Sequence, residues 1–447
     1  MAPPTARFQI AFTGDTLDPD PAWTDLDDII RMAEYTIDRG RSFELDRVDT
    51  GRATVYLNDT QGILDPTNLS SPFHNKIQPL KQARLALWNP VLEDWYTRFR
   101  GFVDSFTYDF DPSQRVNRVT VELVDIFEIV SACEMFPGHF GELAADIPKE
   151  SKGQVYFAPT PDDDQHGMQL RCNQVLDQAD IPSEFREVFS GNVALRKTVY
   201  SPGESAMTAI QEAVDAEFPA VGNVYGNRLG KLAIHGRFAR FDPEGTATAT
   251  GWDFNDWKAG DGAAVTASPT DTAHLRGFSM SRDLSKVINR AMAAPFTNDA
   301  NPNFAGQVVQ DDTSKDSYGI RPWSTENLLT KQGVTTGLDA WQETKTFAAY
   351  YVTNYKTPHN RISAISFRPM RVGAPGAAAC WDFMCRVDIN DRVTVTIGSP
   401  GGGGLAAHQF FVEGVHEQVQ PLNGGMDDVT LTLDLSPADY FADNPYA

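Results

Sequence analysis

The sequence predicts a mainly β protein with an α+β insert: two related small antiparallel β-barrels or sandwiches flanking a helix-containing middle region. Three observations carry this. Residues 78–125 and 388–435 show one pattern twice: a strand ending at a Pro turn (Ala83 to Pro90; Val393 to Pro400), a strand around a glycine (Arg100-Gly101-Phe102-Val103-Asp104; Glu413-Gly414-Val415-His416-Glu417), and an alternating run (Val119 to Asp125; Val429 to Leu435). Period-two alternation marks half-buried antiparallel strands. Between the copies, residues 201–218 and 338–355 carry apolar positions at helical spacing. Any two antiparallel meanders share such features, so duplication and coincidence both stand at this level.

In order, the chain divides into an N-terminal segment (1–41), a first β-barrel domain (42–134), a linker (135–165), an α+β module (166–260), a second mixed module with a helix over 338–355 (261–360), and a second β-barrel domain (361–447). Residues 14–28, rich in Asp and Pro, read as a loop. Residues 23–38 carry a short mixed run, and Arg39-Gly40-Arg41 turns into the first clear strands, of which Arg52 to Asn58 alternates cleanly. Residues 59–75, with Gly62, Pro66, Asn68 and Pro72, form a turn-rich connection. In the middle, Leu170, Val175, Leu176 and Ala179 have helical spacing. Ser201-Pro202-Gly203-Glu204 predicts a helix start, with Met207, Ile210, Val214 and Phe218 on one core face and Pro219 ending it. Residues 223–237 read as a hairpin turning at 227–230, and 275–290 return to strand. The second helix places Leu338, Trp341, the Lys345 stem, Ala348, Val352 and Tyr355 on one stripe and stops before Pro358.

With 447 residues, 41% hydrophobic, the chain holds about three domains and ordinary cores. A net charge of −22 argues against phosphate-neutralising nucleic-acid binding and against anionic lipid. Four cysteines (Cys133, Cys172, Cys380, Cys385) make no disulfide framework and point to a reducing compartment at synthesis. There is no apolar leader and no run of the ~20 residues that a membrane helix needs, so no membrane anchor is expected and release would be by lysis or within an assembly.

No chemistry stands out. Asp15, Asp18 and Asp20 lack the glycine and terminal glutamate of a calcium loop. His416-Glu417 starts like a zinc-protease motif, but Gln420 stands where the second histidine belongs. Cys380 and Cys385 lack a second ligand pair, and the glycines 401–404 precede no Lys-Ser/Thr, so a hairpin loop is expected there. No catalytic, cofactor-binding or metal-binding residues are assigned, no cofactor is expected, and the chain is read as no enzyme.

Several short stretches, in order over about 400 residues, carry a resemblance. They are Gly51 to Asp59, Gly62 to Asn68, Arg98 to Asp104, Tyr225 with Gly230-Lys231-Leu232, Asn390 to Val395, Phe411 to Val415 and Leu433 to Pro437. In these the sequence resembles tail-hub or minor tail proteins of long-tailed, siphovirus-type bacteriophages, similar to the baseplate hub family. The resemblance implies a homotrimer with two barrels per chain, a ring of quasi-sixfold symmetry joining the tail tube to the distal tip and forming part of the DNA channel. The implied partners are further copies of the chain, a distal tail protein or the tail tube, downstream tip or fibre proteins, a tape measure protein, and genomic DNA passing without sequence-specific binding. The implied location is the tail tip of a virion made in the host cytoplasm. No appended peptidase or lysozyme-like domain is seen, so no wall-degrading role is expected. Alternatives are a hexameric distal tail adaptor, a peripheral minor tail protein, or a receptor- or carbohydrate-binding β protein using Trp252, Trp257 and Trp323.

Overall fold

A computed structural model describes residues 6–26, 30–89, 92–111, 116–135, 155–157, 167–196, 198–240, 275–282, 284–297, 302–334, 337–359, 361–368, 376–397, 406–422 and 426–441. The chain is mostly β and is organised by one twelve-stranded sheet. Its first part uses β1 (Ala6–Ile10), β2 (Thr24–Asp25), β3 (Arg31–Gly40), β4 (Asp49–Asp59), β5 (Gln82–Asn89), β6 (Asp94–Asp111) and β7 (Val116–Val124). The spatial order is β3-β4-β7-β6-β5-β1-β2. β4 shows why these residues form strands: Ala53, Val55 and Leu57 are buried, whereas Arg52, Thr54 and Tyr56 between them are not. β1 and β3 fall within residues 1–41, yet they pair directly with β5 and β4. Arg39-Gly40 therefore ends a ten-residue strand instead of leading into the first one.

The second part repeats the first. Strands Leu275–Ser281, Arg361–Phe367, Met426–Pro437, Ala406–Leu422 and Arg392–Ile397 are neighbours in that order, as β3, β4, β7, β6 and β5 are. The ladders coincide in register. β6 and β7 shift between Val103 and Ser105, leaving Asp104 as a bulge, and the later pair shifts between Val412 and Gly414, leaving Glu413. Two residues before the bulge, Phe102 faces Gln82 and Phe411 faces Arg392, so Ala83 is equivalent to Val393. The sequence comparison is right for that strand. For the next strand it is corrected: Asp104, not Gly101 or its neighbour Arg100, is equivalent to Glu413, because the bulge and not the glycine fixes the register.

The two parts, far apart in sequence, meet edge to edge. β3 pairs antiparallel with residues 414–419, from Gly40 opposite Gly414 to Tyr35 opposite Val419. One hydrophobic cluster runs through both, from Phe8, Val55 and Val121 to Val415, Leu431 and Leu433. The turn-rich 59–75 connection is ordered by its own polar groups. Asp59 accepts from the amides of Gln61, Ile63 and Leu64, and Asn68 donates to the Gly62 carbonyl at 2.8 Å.

The middle region packs helices α1 (Ile126–Ala132), α2 (Met168–Gln178) and α3 (Ala206–Glu217) around a second cluster. The hairpin Asn223–Gly226 with Leu232–His235 is as expected. In α2, Val175 and Leu176 are buried but Leu170 is exposed. α3 starts later than expected: Ser205 caps it by accepting from Met207. Ser201-Pro202-Gly203-Glu204 is instead a β-turn, closed by Glu204 N–H to Ser201 O with Gly203 at φ +88. Pro-Gly at the central positions favours that turn over a helix start. In the expected linker, strand Val155–Phe157 pairs with Thr198–Tyr200, and most other linker residues lie outside the described ones.

A third cluster surrounds α5 (Ala340–Tyr355), which follows α4 (Asp312–Tyr318). Asp339 and Gln342 form a capping box at its start. Ala348, Val352 and Tyr355 of the expected stripe are buried, but the buried side also takes in Glu343, Thr344, Phe347 and Tyr351, while Lys345 is exposed and Trp341 half-buried. The ion pair of Glu343 with Arg237 draws a charged position inward. A last helix, α6 (Gly376–Arg386), packs on β5 and β6. The 275–290 stretch is a strand only to Ser281, and the next begins at Arg290.

The seam makes a steric demand. A Cβ on Gly40, at φ +94, would lie 2.2 Å from the Glu413 carbonyl oxygen. Gly40→Ala is expected to lower unfolding free energy by about 2–4 kcal/mol. Gly319→Ala, at φ +71 with nothing within 4 Å, should cost about 1 kcal/mol in the same denaturant titration.

Candidate functional site

The seam between the two sheet parts gathers charged groups that an ordinary β core would exclude. Glu413, the bulged residue, is fully buried. It accepts from Arg41 Nε at 2.8 Å, from Arg240 Nη1 at 2.5 Å and Nη2 at 2.9 Å, and from Ser436 Oγ at 2.5 Å. Arg240 also donates to Asn390 Oδ1 at 2.9 Å. The bulge lifts this carboxylate out of the strand alternation, so arginines from the N-terminal part and the middle region converge on it. Burial pushes the carboxyl up, but Arg240 and Arg41 outweigh this and hold it at about 2.

Two more buried pairs cross the seam. Glu417 takes Arg98 Nε at 2.8 Å and the Tyr35 hydroxyl at 2.7 Å. Arg98 also donates to the carbonyls of Cys385 and Val387, tying β6 to the end of α6. Asp388 pairs with Arg39 Nη1 at 2.8 Å and accepts from the Arg228 amide at 2.8 Å. Arg237 lies between Glu217 on α3 and Glu343 on α5, at 3.3 Å from each. These contacts lock the middle region and the two sheet parts into one body. Each charge has a partner from another segment, which fixes their relative position more than it adds stability.

At the surface of the seam, His416 bridges Asp38 at 2.8 Å (Nδ1) and Asp434 at 3.0 Å (Nε2). Those two hydrogen bonds, first Asp38 and then Asp434, push the imidazole up to about 9 despite partial burial. His416 and Glu417 are successive residues on one strand, so they point to opposite faces and cannot share a metal. Cys385 is buried and unreactive, its thiol pushed up to about 12 by burial. Asp18 accepts from the Asp20 amide, a local turn. Among the described residues no group of three His, Cys, Asp or Glu could hold a metal ion. Trp323 is half-buried with its ring 4.1 Å from that of Tyr351. Trp252, Trp257 and the glycines 401–404 lie outside the described residues.

The sequence reading missed Arg41, Arg98 and Arg240 as seam residues. The available signal was Glu413 itself, a carboxylate in the apolar run Phe410-Phe411-Val412-Glu413-Gly414-Val415.

No protein-family profile matches the chain, and no curated protein does. Solved structures do match. A tail protein from Neisseria meningitidis MC58 superposes with a TM-score of 0.50 at 11% identity, over 96% of each chain. The chain has the fold of a tail protein. A chain of the lidless PdpA–VgrG complex also matches, with a TM-score of 0.50 at 8% identity, over 99% of this chain and 66% of that one. The 43 kDa tail protein of prophage MuSo2 from Shewanella oneidensis aligns over 98% of this chain at 11% identity, with a TM-score of 0.49. Among the described residues no helix is long and apolar enough to cross a membrane.

Glu413→Gln leaves Arg41 and Arg240 buried against a neutral amide. It is expected to lower unfolding free energy by about 3–5 kcal/mol, read as a fall in the denaturant midpoint. In the native chain this carboxylate's contribution is complete above pH 4.5 and is lost as pH falls through about 2. His416 has the opposite sign: its contribution is complete below pH 6.5 and is lost as pH rises through about 9. His416→Gln should flatten the alkaline arm of the stability profile and leave the acid arm unchanged.

Proposed function

We propose that the chain is a structural component of a bacteriophage tail tip, a hub assembling as a trimer. The observation that carries this reading is the repeat of one five-strand topology within a single chain, with the two copies already joined edge to edge. Three such chains supply six similar units. The ring then matches a sixfold tube on one side and a threefold tip or fibre on the other. The matching structures, a tail protein and a chain of a VgrG-containing complex, agree with a place in a tail or tail-like assembly.

In this reading the hub contacts a distal tail protein or tube above, tip or fibre proteins below, and the tape measure protein. Genomic DNA passes through the ring, and a net charge of −22 favours passage without adhesion if carboxylates face the lumen. The role is mechanical, and no group of residues is assigned to catalysis. The buried ion pairs of the seam suit a rigid coupler, because they hold each chain's two units in one orientation.

Imaging the tail tip of the native particle tests this. Three copies of the chain around the axis, each giving two like β units, are expected. Six copies would make the chain a distal adaptor, and copies away from the axis would make it a peripheral minor tail protein. Either result overturns the trimeric hub.

A further inference from the structure

The intrachain seam is a template for a contact between chains. β3 is paired on both edges, by β4 and by residues 414–419. Its equivalent in the second part, strand Leu275–Ser281, pairs only with Arg361–Phe367 among the described strands. The strand that closes the seam, Ala406–Leu422, uses one edge twice: Arg392–Ile397 covers 406–411 and β3 covers 414–419. Its equivalent, β6, has the first of these partners, β5 over 94–102, but no described strand pairs with the same edge beyond Val103. Among the described strands, each part therefore lacks the partner that the other shows.

Burial agrees. By the shared bulge register, Phe106 is equivalent to Val415 and Tyr108 to Glu417. Val415 and Glu417 are buried under β3, at 1% and 2% exposure. Phe106 and Tyr108 touch the same core cluster but stay half-exposed. An inward-facing row left half-covered is what a missing neighbour strand produces. The outward row is polar in both places, with His416, Gln418, Thr36 and Asp38 at the seam and Ser105, Thr107 and Asp109 on β6, so polarity does not oppose pairing.

We infer that the free edge of β6, residues 105–110, takes strand Leu275–Ser281 of a second copy of this chain as an antiparallel neighbour. The seam register transfers directly. Gln418 faces Thr36 and Val419 faces Tyr35. Asp109 and Phe110 are equivalent to Gln418 and Val419, and Ser279 and Phe278 to Thr36 and Tyr35. Asp109 of one copy thus faces Ser279 of the next, and Phe110 faces Phe278. The contact is head-to-tail, with different surfaces on its two sides, and in the trimeric reading above three repeats of it close the ring. The inference rests on the ring-forming reading above and adds which edges meet and in what register.

Directly opposed residues in an antiparallel pair have Cα atoms about 4.5–5.5 Å apart, within disulfide range. The test is the full chain carrying Asp109→Cys with Ser279→Cys, oxidised mildly and, in parallel, treated with a short bis-maleimide. A product ending at three chain masses on a denaturing gel is expected, absent from the wild type and from each single variant. Thr36→Cys with Gln418→Cys is the internal control and should cross-link within one chain, leaving the mass unchanged. A native trimer that fails to cross-link would overturn the edge pairing and leave the ring standing. A chain that stays monomeric at all concentrations, uncross-linked while the control cross-links, would overturn both. A ladder continuing past three would overturn closure as a trimer.

Discussion

The structure depends on a carboxylate with no solvent around it. Glu413 sits at a bulge, where one extra residue in the strand turns a side chain away from the ladder, and two arginines from distant segments meet it there. Without the bulge the glutamate would follow the strand alternation, and Arg41 and Arg240 would have no common counter-charge. Without the arginines the carboxylate would be too costly to bury. Sheet geometry and charge pairing are therefore one constraint, and the middle region is attached to the sheet through it.

The same bulge occurs at Asp104, where it does something different. Asp104 is exposed, where Glu413 is buried. Two units with one backbone plan thus differ in what their irregular residue faces: a structural core in one, open surface in the other. That asymmetry is what a chain needs if one of its edges is satisfied internally and the equivalent edge is left for assembly. A surplus of carboxylates elsewhere helps to keep unassembled copies apart in solution.

Much of the fold was legible in the sequence because its strands follow the two-residue period. β4, β7 and the strand Met426–Pro437 alternate cleanly, and the hairpin at 223–235 announces its turn. β3 was not legible. Its inward positions are Tyr35, Ile37 and Arg39, and an inward arginine breaks the pattern unless Asp388 of the other part is known to meet it. The α5 face was legible only in part for the same reason, since Glu343 is buried against Arg237. α3 failed differently: Pro-Gly supports a turn as well as a helix entry, and local sequence does not choose. The seam itself has almost no local signal, because every contact in it joins segments that the sequence keeps apart.

That separation has a consequence in time. Tyr35 and Glu417, which hydrogen-bond across the seam, are 382 residues apart. Ribosomes add about 5–20 residues per second, so β3 waits for roughly 20–80 s before the strand that covers its edge exists. Throughout that interval it is an exposed ribbon end on a half-made protein, able to template pairing with any extended segment nearby. Glu34 and Asp38 stand along it and Gly40 ends it, a row that resists sticking until the matching strand arrives. The charges that later anchor His416 and the seam glutamines have an earlier task as guards of the nascent chain.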